Sequence, residues 1–276
     1  MNNIITKTSV IGNPIQHSLS PIIHNYWIEQ NKINTDKYKK IKIEVSNLHQ
    51  EVKELMENGF TGLNVTIPFK EMVYDLCDEV SDTAKILKAI NTITYKDKKI
   101  IGYNTDPDGF INSISNQIRD DNITGKNTLV IGAGGSARSI IYALNKMESN
   151  ITVTNRTVEK VEIISQDLDI PIKIKDFETI SDISKFDLIV NTTSLGMEEN
   201  KNLEIIFANA KPNLHVYDLI YNPYQTNLLK DAEVNGLTFQ NGLAMLVYQA
   251  AESFNIWHGM YPKIDDELFS IIGKSK

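Results

Sequence analysis

A glycine-rich turn in the middle of the chain has the residue spacing of a dinucleotide-binding loop. Residues 128–131 predict a buried parallel strand, and residues 138–147 predict a helix. Between them the pattern Gly-x-Gly-x-x-Ala is filled by Gly132, Ala133, Gly134, Gly135, Ser136 and Ala137. The first glycine permits a tight turn, the second lets the backbone approach a pyrophosphate, and the helix N-terminus favours an anion. We therefore predict cofactor binding here, the alternative being a strand-to-helix turn that binds nothing.

The polar residues after the next predicted strand indicate which cofactor is bound. An NAD enzyme places an acid there to hydrogen-bond the ribose hydroxyls. This chain has Asn155, Arg156 and Thr157 instead, with Lys160 one turn later. A guanidinium can stack on adenine and bond a 2′-phosphate, which an acid would repel. The residues predict NADP rather than NAD, against the alternative of a solvated arginine at a strand end.

Polar segments also follow the predicted strands of the first part of the chain. Open parallel sheets bind ligands outside the carboxyl ends of their strands. The segments that fall at such positions are 12–21, 64–70, 89–92 and 104–106. Because they carry hydroxyl, amide, lysine and carboxylate side chains, we expect the substrate site among them.

Taken together, these segments resemble the shikimate dehydrogenase family. The resemblance continues in order through residues 191–197, 217–223 and 241–249, and so covers nearly the whole chain. It implies an NADP-dependent oxidoreductase that acts on a CH–OH group. The implied reaction is the reversible reduction of 3-dehydroshikimate to shikimate, in the shikimate pathway of chorismate and aromatic amino acid biosynthesis.

The resemblance also implies a role for each matching residue. Ser18 and Ser20 would bind the substrate carboxylate. The ring hydroxyls would be held by Asn64, Thr66, Asn91, Asp106 and Gln249, and Tyr221 would close the site from the nucleotide-domain side. Residues 191–197 would line the nicotinamide. Beyond the glycine turn and the Arg156 region, the implied cofactor-binding residues are Thr192, Ser194, Met197, Leu219, Gly242 and Met245.

Lys70 and Asp106 match the catalytic pair of the family. As hydride leaves the hydroxyl-bearing carbon, the hydroxyl proton must also depart, and a positioned acid–base group supplies that transfer. We expect Lys70 to donate and accept the proton and Asp106 to place it, while the sequence leaves open which of the two is the base. Without the resemblance, Lys70 would be interpreted as a surface lysine, and Ser18 and Ser20 equally well as helix caps.

One departure from the family pattern and two alternative functions bear on these expectations. Pro107 stands where the family usually has glycine, and proline favours an extended conformation at the preceding Asp106. A quinate/shikimate dehydrogenase with relaxed substrate and cofactor choice is one alternative, although such enzymes tend to carry an acid in place of Arg156. A non-catalytic NADP-binding sensor is the other, and the intact Lys70 and Asp106 argue against it.

Predicted strands and helices alternate along the chain, which indicates an α/β fold with two mainly parallel sheets. We expect a substrate-binding domain at 1–106, completed by C-terminal helices at 242–276, and a Rossmann-type NADP-binding domain at 107–241. The first domain should contain strands at 8–11, 39–45 and 62–67, helices at 21–31, 46–58 and around 69–77, and a hairpin of 91–95 with 100–103. Ser46 should cap the second helix. The second domain should begin with a helix from Pro107 to about residue 118 and a polar turn at 119–127, with further strands at 151–154, 187–191 and 216–219.

Composition limits the classes of protein. The chain has 276 residues, 41% hydrophobic and 23% charged, and a net charge of −7, which argues against nucleic acid as a partner. The sequence shows no secretory signal, no membrane span and no metal-ligand spacing, so we expect a cytoplasmic, metal-free protein, monomeric or homodimeric. Cys77 is the only cysteine, which excludes an internal disulfide, and we expect a buried thiol on a helix.

Overall fold

The structure is a computed structural model, which describes residues 6–115, 123–175, 177, 182–197 and 203–274. The chain divides into two compact units: Met1–Thr105 with Val247–Lys276, and Asp106–Leu246. The expected helix end near residue 118 and the first four residues of the expected turn, 119–122, lie outside the described residues.

The described part of the first unit contains a six-stranded sheet with the strand order β2-β1-β3-β5-β6-β4. Its strands are β1 (Thr8–Gly12), β2 (Lys39–Lys42), β3 (Gly62–Val65), β4 (Glu79–Val80), β5 (Thr92–Lys96) and β6 (Lys99–Tyr103). Strand β1 pairs in parallel with β2 and β3, and the hairpin of β5 and β6 joins β3 antiparallel. The hairpin turns at Asp97 and Lys98, which both have positive φ, as a two-residue turn between twisted strands favours.

Helices cover this sheet, and the C-terminal helices return to it. The helices of the first segment are α1 (Ser20–Gln30), α2 (Leu48–Glu57) and α3 (Asp82–Leu87). The indole N–H of Trp27 donates to the carbonyl of Lys263 at 2.9 Å, and that of Trp257 donates to the carbonyl of Ile93 at 3.0 Å. These bonds join the segment after Val247 to the earlier part of the first unit.

Three local expectations for the first unit were wrong. Ser46 does not cap a helix: it lies inside a short 3₁₀ turn, Val45–Asn47, and α2 begins only at Leu48. The expected helix around 69–77 is a series of turns ending in the 3₁₀ helix Tyr74–Leu76: Val73 N–H to Phe69 O spans four residues, but the bonds around it, such as Phe69 N–H to Thr66 O, span three. Cys77 therefore follows a 3₁₀ helix, where burial raises the pKa of its thiol to about 12.

The second unit contains a six-stranded sheet in which every pair is parallel, with the order β12-β11-β10-β7-β8-β9. Its strands are β7 (Asn127–Ile131), β8 (Asn150–Thr154), β9 (Lys173–Lys175), β10 (Leu188–Asn191), β11 (His215–Asp218) and β12 (Thr238–Asn241). Counted from β7, this is the order 3-2-1-4-5-6 of dinucleotide-binding folds. The reversal between β7 and β10 is where such sheets bind their ligand.

The helices of the second unit are α4 (Asp106–Ser115), α5 (Gly135–Lys146), α6 (Val158–Leu168) and α7 (Asn227–Val234). Then follow α8 (Leu243–His258), whose residues from Val247 belong to the first unit, and α9 (Asp266–Lys274). Each unit has its own apolar core, with Ile11, Leu63 and Ile93 in the first and Leu129, Ile189 and Val216 in the second. No helix in the described ranges is both long and apolar enough to span a bilayer. The α/β fold class with two mainly parallel sheets is confirmed.

Candidate active site

The polar segments of the first unit meet at one edge of its sheet. Strands β1, β3 and β6 end at this edge, and the antiparallel β5 begins there, because Asn64 is paired with Thr92 and Thr92 with Tyr103. The backbone N–H of Thr66 donates to the carbonyl of Ile11, and that of Asn13 donates to the carbonyl of Ile67, both at 3.0 Å. Strand pairing thus gathers side chains that are far apart in the sequence.

Asn91 is the centre of this edge. Its amide donates to the hydroxyl of Thr105 at 2.9 Å and to the side-chain carbonyl of Gln249 at 3.3 Å. Its own side-chain carbonyl accepts the N–H of Thr105 at 2.9 Å, and the Thr105 hydroxyl donates to the backbone carbonyl of Gln249 at 2.9 Å. The structure therefore brings together Asn91 and Gln249, which the resemblance supplied as separate residues. Sequence reasoning missed Thr105, whose role depends on a helix that arrives from the other end of the chain.

Asn64 lies beneath Asn91 and is engaged by protein groups. Its carbonyl accepts the hydroxyl of Tyr38 at 2.7 Å, and its amide lies 3.2 Å from the backbone carbonyl of Asn91. The same amide lies 3.2 Å from the hydroxyl of Thr92 and 3.0 Å from that of Ser253. Tyr38, Thr92 and Ser253 were also missed, since nothing in their local sequence shows that they converge on one buried amide.

Ser18 and Ser20 lie where the loop after β1 enters α1. The Ser18 hydroxyl accepts the N–H of Ser20 at 3.3 Å, and Ser20 is buried as the first residue of the helix. The N-cap position is Leu19, and no side chain makes a cap hydrogen bond. Neither serine is therefore the N-cap of α1, although the Ser18 hydroxyl does accept the N–H of the first helical residue. Both hydroxyls stand at the positive end of the helix dipole, which favours an anion.

The two expected catalytic residues fall in different compact units. Lys70 is half-buried in the loop after β3, and its backbone carbonyl accepts the N–H of Ile90 at 2.7 Å, which ties this loop to the residue before Asn91. Asp106 is 6% exposed and begins α4. Pro107 stands in the first turn of that helix, where proline removes no helical hydrogen bond.

In the second unit the glycine turn connects β7 to α5 as expected. Gly132 has φ +111°, and a Cβ on it would lie 2.6 Å from the hydroxyl oxygen of Thr192, so only glycine fits. Ala133 is half-buried, whereas Gly134, the N-cap of α5, and the next residues Gly135 and Ser136 are exposed. Ala137 is fully buried against the sheet. The helix N-terminus is thus presented to solvent on a tightly built turn.

The residues expected at the 2′-phosphate lie beyond the next strand. Asn155 follows β8, and its amide donates to the carbonyl of Thr157 at 2.8 Å. Arg156, Thr157 and Lys160 are exposed, with Thr157 at the N-cap of α6. The pairing of β7 with β8 sets this cationic group beside the glycine turn.

Two further loops follow β10 and β11, and a buried hydrogen-bond network joins them. Asp218, at the end of β11, accepts the amide N–H of Asn191 at 2.9 Å, the backbone N–H of Ile220 at 3.1 Å and the hydroxyl of Thr226 at 2.7 Å. Burial raises the pKa of Asp218 to about 6. Sequence reasoning missed Asp218 and Thr226, because an aspartate at a strand end gives no local sign of complete burial.

The expected cofactor residues of these loops differ in exposure. Ser194 and Met197 are exposed, whereas Thr192, Leu219 and Met245 are half-buried. Burial raises the pKa of Tyr221, which follows the same strand as Asp218. A Cβ on Gly242 would lie 2.0 Å from the carbonyl oxygen of Leu219, so any side chain there would displace this loop.

Family models match most of the chain in three consecutive parts. The shikimate dehydrogenase substrate-binding domain matches residues 10–93, the shikimate/quinate 5-dehydrogenase model matches 113–219, and the shikimate 5′-dehydrogenase C-terminal domain matches 242–266. The chain belongs to the shikimate dehydrogenase family.

Individual members of the family resemble the chain over nearly its full length. The NADP(+) shikimate dehydrogenase of Pelagibacter ubique is 41% identical over 265 residues, which cover 95% of this chain and 97% of that protein. A solved shikimate dehydrogenase in complex with NADP+ is 35% identical, with a TM-score of 0.90, and covers 100% of this chain and 98% of the other. The enzyme of Thermus thermophilus, solved with NADP(H) and shikimate, is 27% identical with a TM-score of 0.88, covering 99% of this chain and 100% of that one.

Proposed function

We propose that the chain is an NADP-dependent shikimate dehydrogenase, an oxidoreductase that reversibly reduces 3-dehydroshikimate to shikimate with NADPH. The observation that carries this proposal is the hydrogen-bonded cluster of Asn91, Thr105 and Gln249 at the sheet edge. Amide and hydroxyl groups both donate and accept hydrogen bonds, which suits a substrate ring with several hydroxyls. The reaction belongs to the shikimate pathway of chorismate and aromatic amino acid biosynthesis.

The substrate carboxylate binds Ser18 and Ser20 in this proposal. Their hydroxyls can donate to carboxylate oxygens, and the N-terminus of α1 adds a favourable dipole. Thr66, Asn91 and Gln249 bind the ring hydroxyls.

Asn64 has a supporting role in the same proposal. It is surrounded by Tyr38, Thr92 and Ser253, so it holds Asn91 in place and offers a ring hydroxyl only its second carbonyl lone pair.

Proton transfer is assigned to Lys70, with Asp106 as its partner. In the reductive direction the carbonyl carbon gains a hydride and the carbonyl oxygen gains a proton, and Lys70 Nζ gives that proton. Asp106 orients the ammonium group and a substrate hydroxyl through its carboxylate. The hydride comes from the reduced nicotinamide, which is the chemistry that the bound cofactor supplies.

The residues of the second unit fit NADP. A Cβ on Gly134 would meet nothing within 4 Å, so there is room for a pyrophosphate at the exposed start of α5. Arg156 and Lys160, with Asn155 and Thr157, hold the 2′-phosphate end. Tyr221 closes the site around substrate. The nicotinamide half is assigned to Thr192, Ser194, Met197, Leu219, Gly242 and Met245.

This function implies a division of labour along the chain. We propose a substrate-binding domain of residues 1–106 completed by 242–276, and an NADP-binding domain of 107–241. We also propose that the enzyme works in the cytoplasm, as a monomer or homodimer, on small-molecule substrates.

A spectrophotometric assay of NADP reduction tests the proposal. Shikimate with NADP should give rapid absorbance growth at the wavelength of NADPH. Quinate with NADP, and shikimate with NAD, should react at least about tenfold more slowly, a difference of about 1.4 kcal/mol in transition-state binding.

The other outcomes point to the alternatives. If quinate with NADP, and shikimate with NAD, reacted as fast as shikimate with NADP, the chain would be a quinate/shikimate dehydrogenase with relaxed substrate and cofactor choice. NADP binding without turnover of either substrate would indicate a sensor and overturn the proposal.

A further inference from the structure

Asp218 is a buried carboxylate that the proposed reaction does not use. It is fully buried at the end of β11, between the loops that follow β10 and β11. Removing a carboxylate from water is costly unless donors replace the lost hydration. Its two oxygens receive hydrogen bonds from Asn191, Ile220 and Thr226, so the donors come from the end of the neighbouring strand β10 and from both ends of the loop after β11.

The first of these donors fixes the loop at 192–197. The carbonyl of Asn191 accepts the N–H of Thr193 at 3.0 Å and its hydroxyl at 2.7 Å, and the amide also donates to the carbonyl of Leu195 at 3.2 Å. Asn191 can make all these bonds only in the orientation that points its amide at Asp218. The carboxylate therefore selects the conformation of the loop that begins at Thr192.

The other donors fix the loop at 219–226. The N–H of Ile220 and the hydroxyl of Thr226 lie at its two ends, and both donate to Asp218. Thr226 also packs against the first loop, since a Cβ on Gly196 would lie 3.3 Å from its methyl carbon. One carboxylate thus determines the position of both loops relative to each other within the second unit.

We propose that Asp218 is a positioning residue, which acts through Asn191 and Thr226 to hold the loops 192–197 and 219–226 where they receive the nicotinamide half of the cofactor. This inference rests on the proposed function, which assigns Thr192, Ser194, Met197 and Leu219 to that half. Binding of the adenosine half should not depend on Asp218, because that half is assigned to the glycine turn and the Arg156 region. The two halves can therefore be measured separately.

The variant Asp218→Asn tests this inference, because it keeps the shape but removes the charge and one acceptor. We expect the turnover number to fall about ten- to a hundredfold, since small misplacements of reacting groups have effects of this size. The affinity for 2′,5′-ADP, which lacks the nicotinamide, should stay within about twofold. The emission of bound NADPH, which depends on the surroundings of the reduced nicotinamide, should move toward that of the free cofactor.

Asp187→Asn is a matched control, because Asp187 lies before β10 at the opposite edge of the same sheet and bonds Asn127 and Lys211. It should leave turnover, 2′,5′-ADP affinity and NADPH emission unchanged. Thr226→Val is a second test, which deletes one donor without changing the size of the side chain. It should lower turnover about three- to tenfold, as the loss of one hydrogen bond does.

The outcomes separate positioning from a structural role. Turnover within threefold of wild type in both Asp218→Asn and Thr226→Val would overturn the inference. So would equal weakening of 2′,5′-ADP and NADP, because that would indicate general damage to the unit. If the wild type reduced no NADP with shikimate, the proposed function would fail, yet the 2′,5′-ADP and emission measurements would still test Asp218.

Discussion

The edge assigned to substrate in the first unit and the edge assigned to cofactor in the second are constructed in opposite ways. In the first unit the side chains assigned to substrate bond one another, with Asn91 joined directly to Gln249. In the second unit the groups assigned to cofactor are the helix start at Gly134 and exposed side chains such as Arg156, while the hydrogen-bonded part lies below them at Asp218. Interlocked side chains respond to substitution together, whereas separate exposed ones respond singly. The first edge should therefore tolerate far fewer changes.

The largest expected effect belongs to the first edge. Lys70→Ala should lower turnover by about two to four orders of magnitude, the range of positioned acid–base catalysis, while NADP affinity stays unchanged. Steady-state kinetics and cofactor titration measure both quantities. A turnover number of Lys70→Ala within threefold of wild type would remove Lys70 from the mechanism. It would also contradict the expectation that the first edge is the more sensitive of the two.

Arg156→Ala tests whether the exposed side chains of the second edge act independently of one another in binding the cofactor. Charge-assisted hydrogen bonds contribute about 1.5–3 kcal/mol, so NADP should bind roughly ten- to a hundredfold more weakly, and NAD much less so. Isothermal titration at two salt concentrations checks this, since a phosphate contact is weakened by salt. Exposed Lys173 on β9 offers a control, and Lys173→Ala should change neither affinity. Equal weakening of both cofactors would leave Arg156 with adenine stacking only.

Acid stability bears on both units, because each contains a buried histidine, His24 in the first and His215 in the second, where burial lowers the pKa to about 4. Burial, and then nearby His258, lower the pKa of His24 to about 3, against a smaller opposing effect of the Asn64 side chain. In the unfolded chain His24 binds a proton near pH 6.5, whereas in the folded chain it does so only near pH 3. Its contribution to the free energy of unfolding must therefore fall as the pH falls below 6.5. Between pH 7.5 and 5, His24 alone should account for about 1–2 kcal/mol of lost unfolding free energy.

Urea unfolding of wild type and His24→Asn at these two pH values measures the part of the lost unfolding free energy that is due to His24. The variant loses the stacking of His24 on Tyr38, so it should be less stable at pH 7.5, yet its stability should fall less between the two pH values. Exposed His17 provides the control His17→Asn. An unchanged pH slope in His24→Asn would assign the acid sensitivity to other groups.

Ser18→Ala should give the smallest effect. The carboxylate it would bind keeps its charge during the reaction, so the Michaelis constant for shikimate should rise about two- to tenfold while turnover changes little. The same substitution should lower the melting temperature only slightly, since the Ser18 hydroxyl accepts one backbone N–H, from Ser20 at 3.3 Å, and the N-cap of α1 is Leu19. A lowered melting temperature with an unaltered Michaelis constant would assign Ser18 to local structure.

What could be predicted from the sequence depended on how local the determining interactions are. The glycine turn was predictable because Gly132, Gly134 and Ala137 act within one strand–turn–helix unit. The alternation of strands and helices likewise predicted both sheets, since periodicity is a short-range property. The helix expected around 69–77 failed because Phe69 and Val73, which have helical spacing and share one four-residue bond, lie in a run of turns whose neighbouring bonds span three residues.

The partners of the predicted residues could not be obtained in this way. Asn64 meets Ser253 across 189 positions, and Asn91 meets Gln249 across 158. Such pairs are fixed by the packing of α8 on the sheet, which no local pattern contains. Resemblance supplied Asn91 and Gln249 as separate residues, but only the folded chain shows them bonded, and it alone shows that Asp218 is buried.

The return of the C-terminal segment to the first unit has a consequence for how the chain folds. The sheet of that unit is encoded before residue 105, yet Trp257 covers Gly62 and Ser253 bonds Asn64, so the unit is complete only when the last part of the chain has been made. The second unit is continuous in sequence and can fold first on the ribosome. Contacts of long sequence separation form slowly. The edge of the first sheet that contains Asn64 and Asn91 should therefore be the last part of the protein to fold. Chaperones that bind the nascent chain should bind it while the first unit is incomplete.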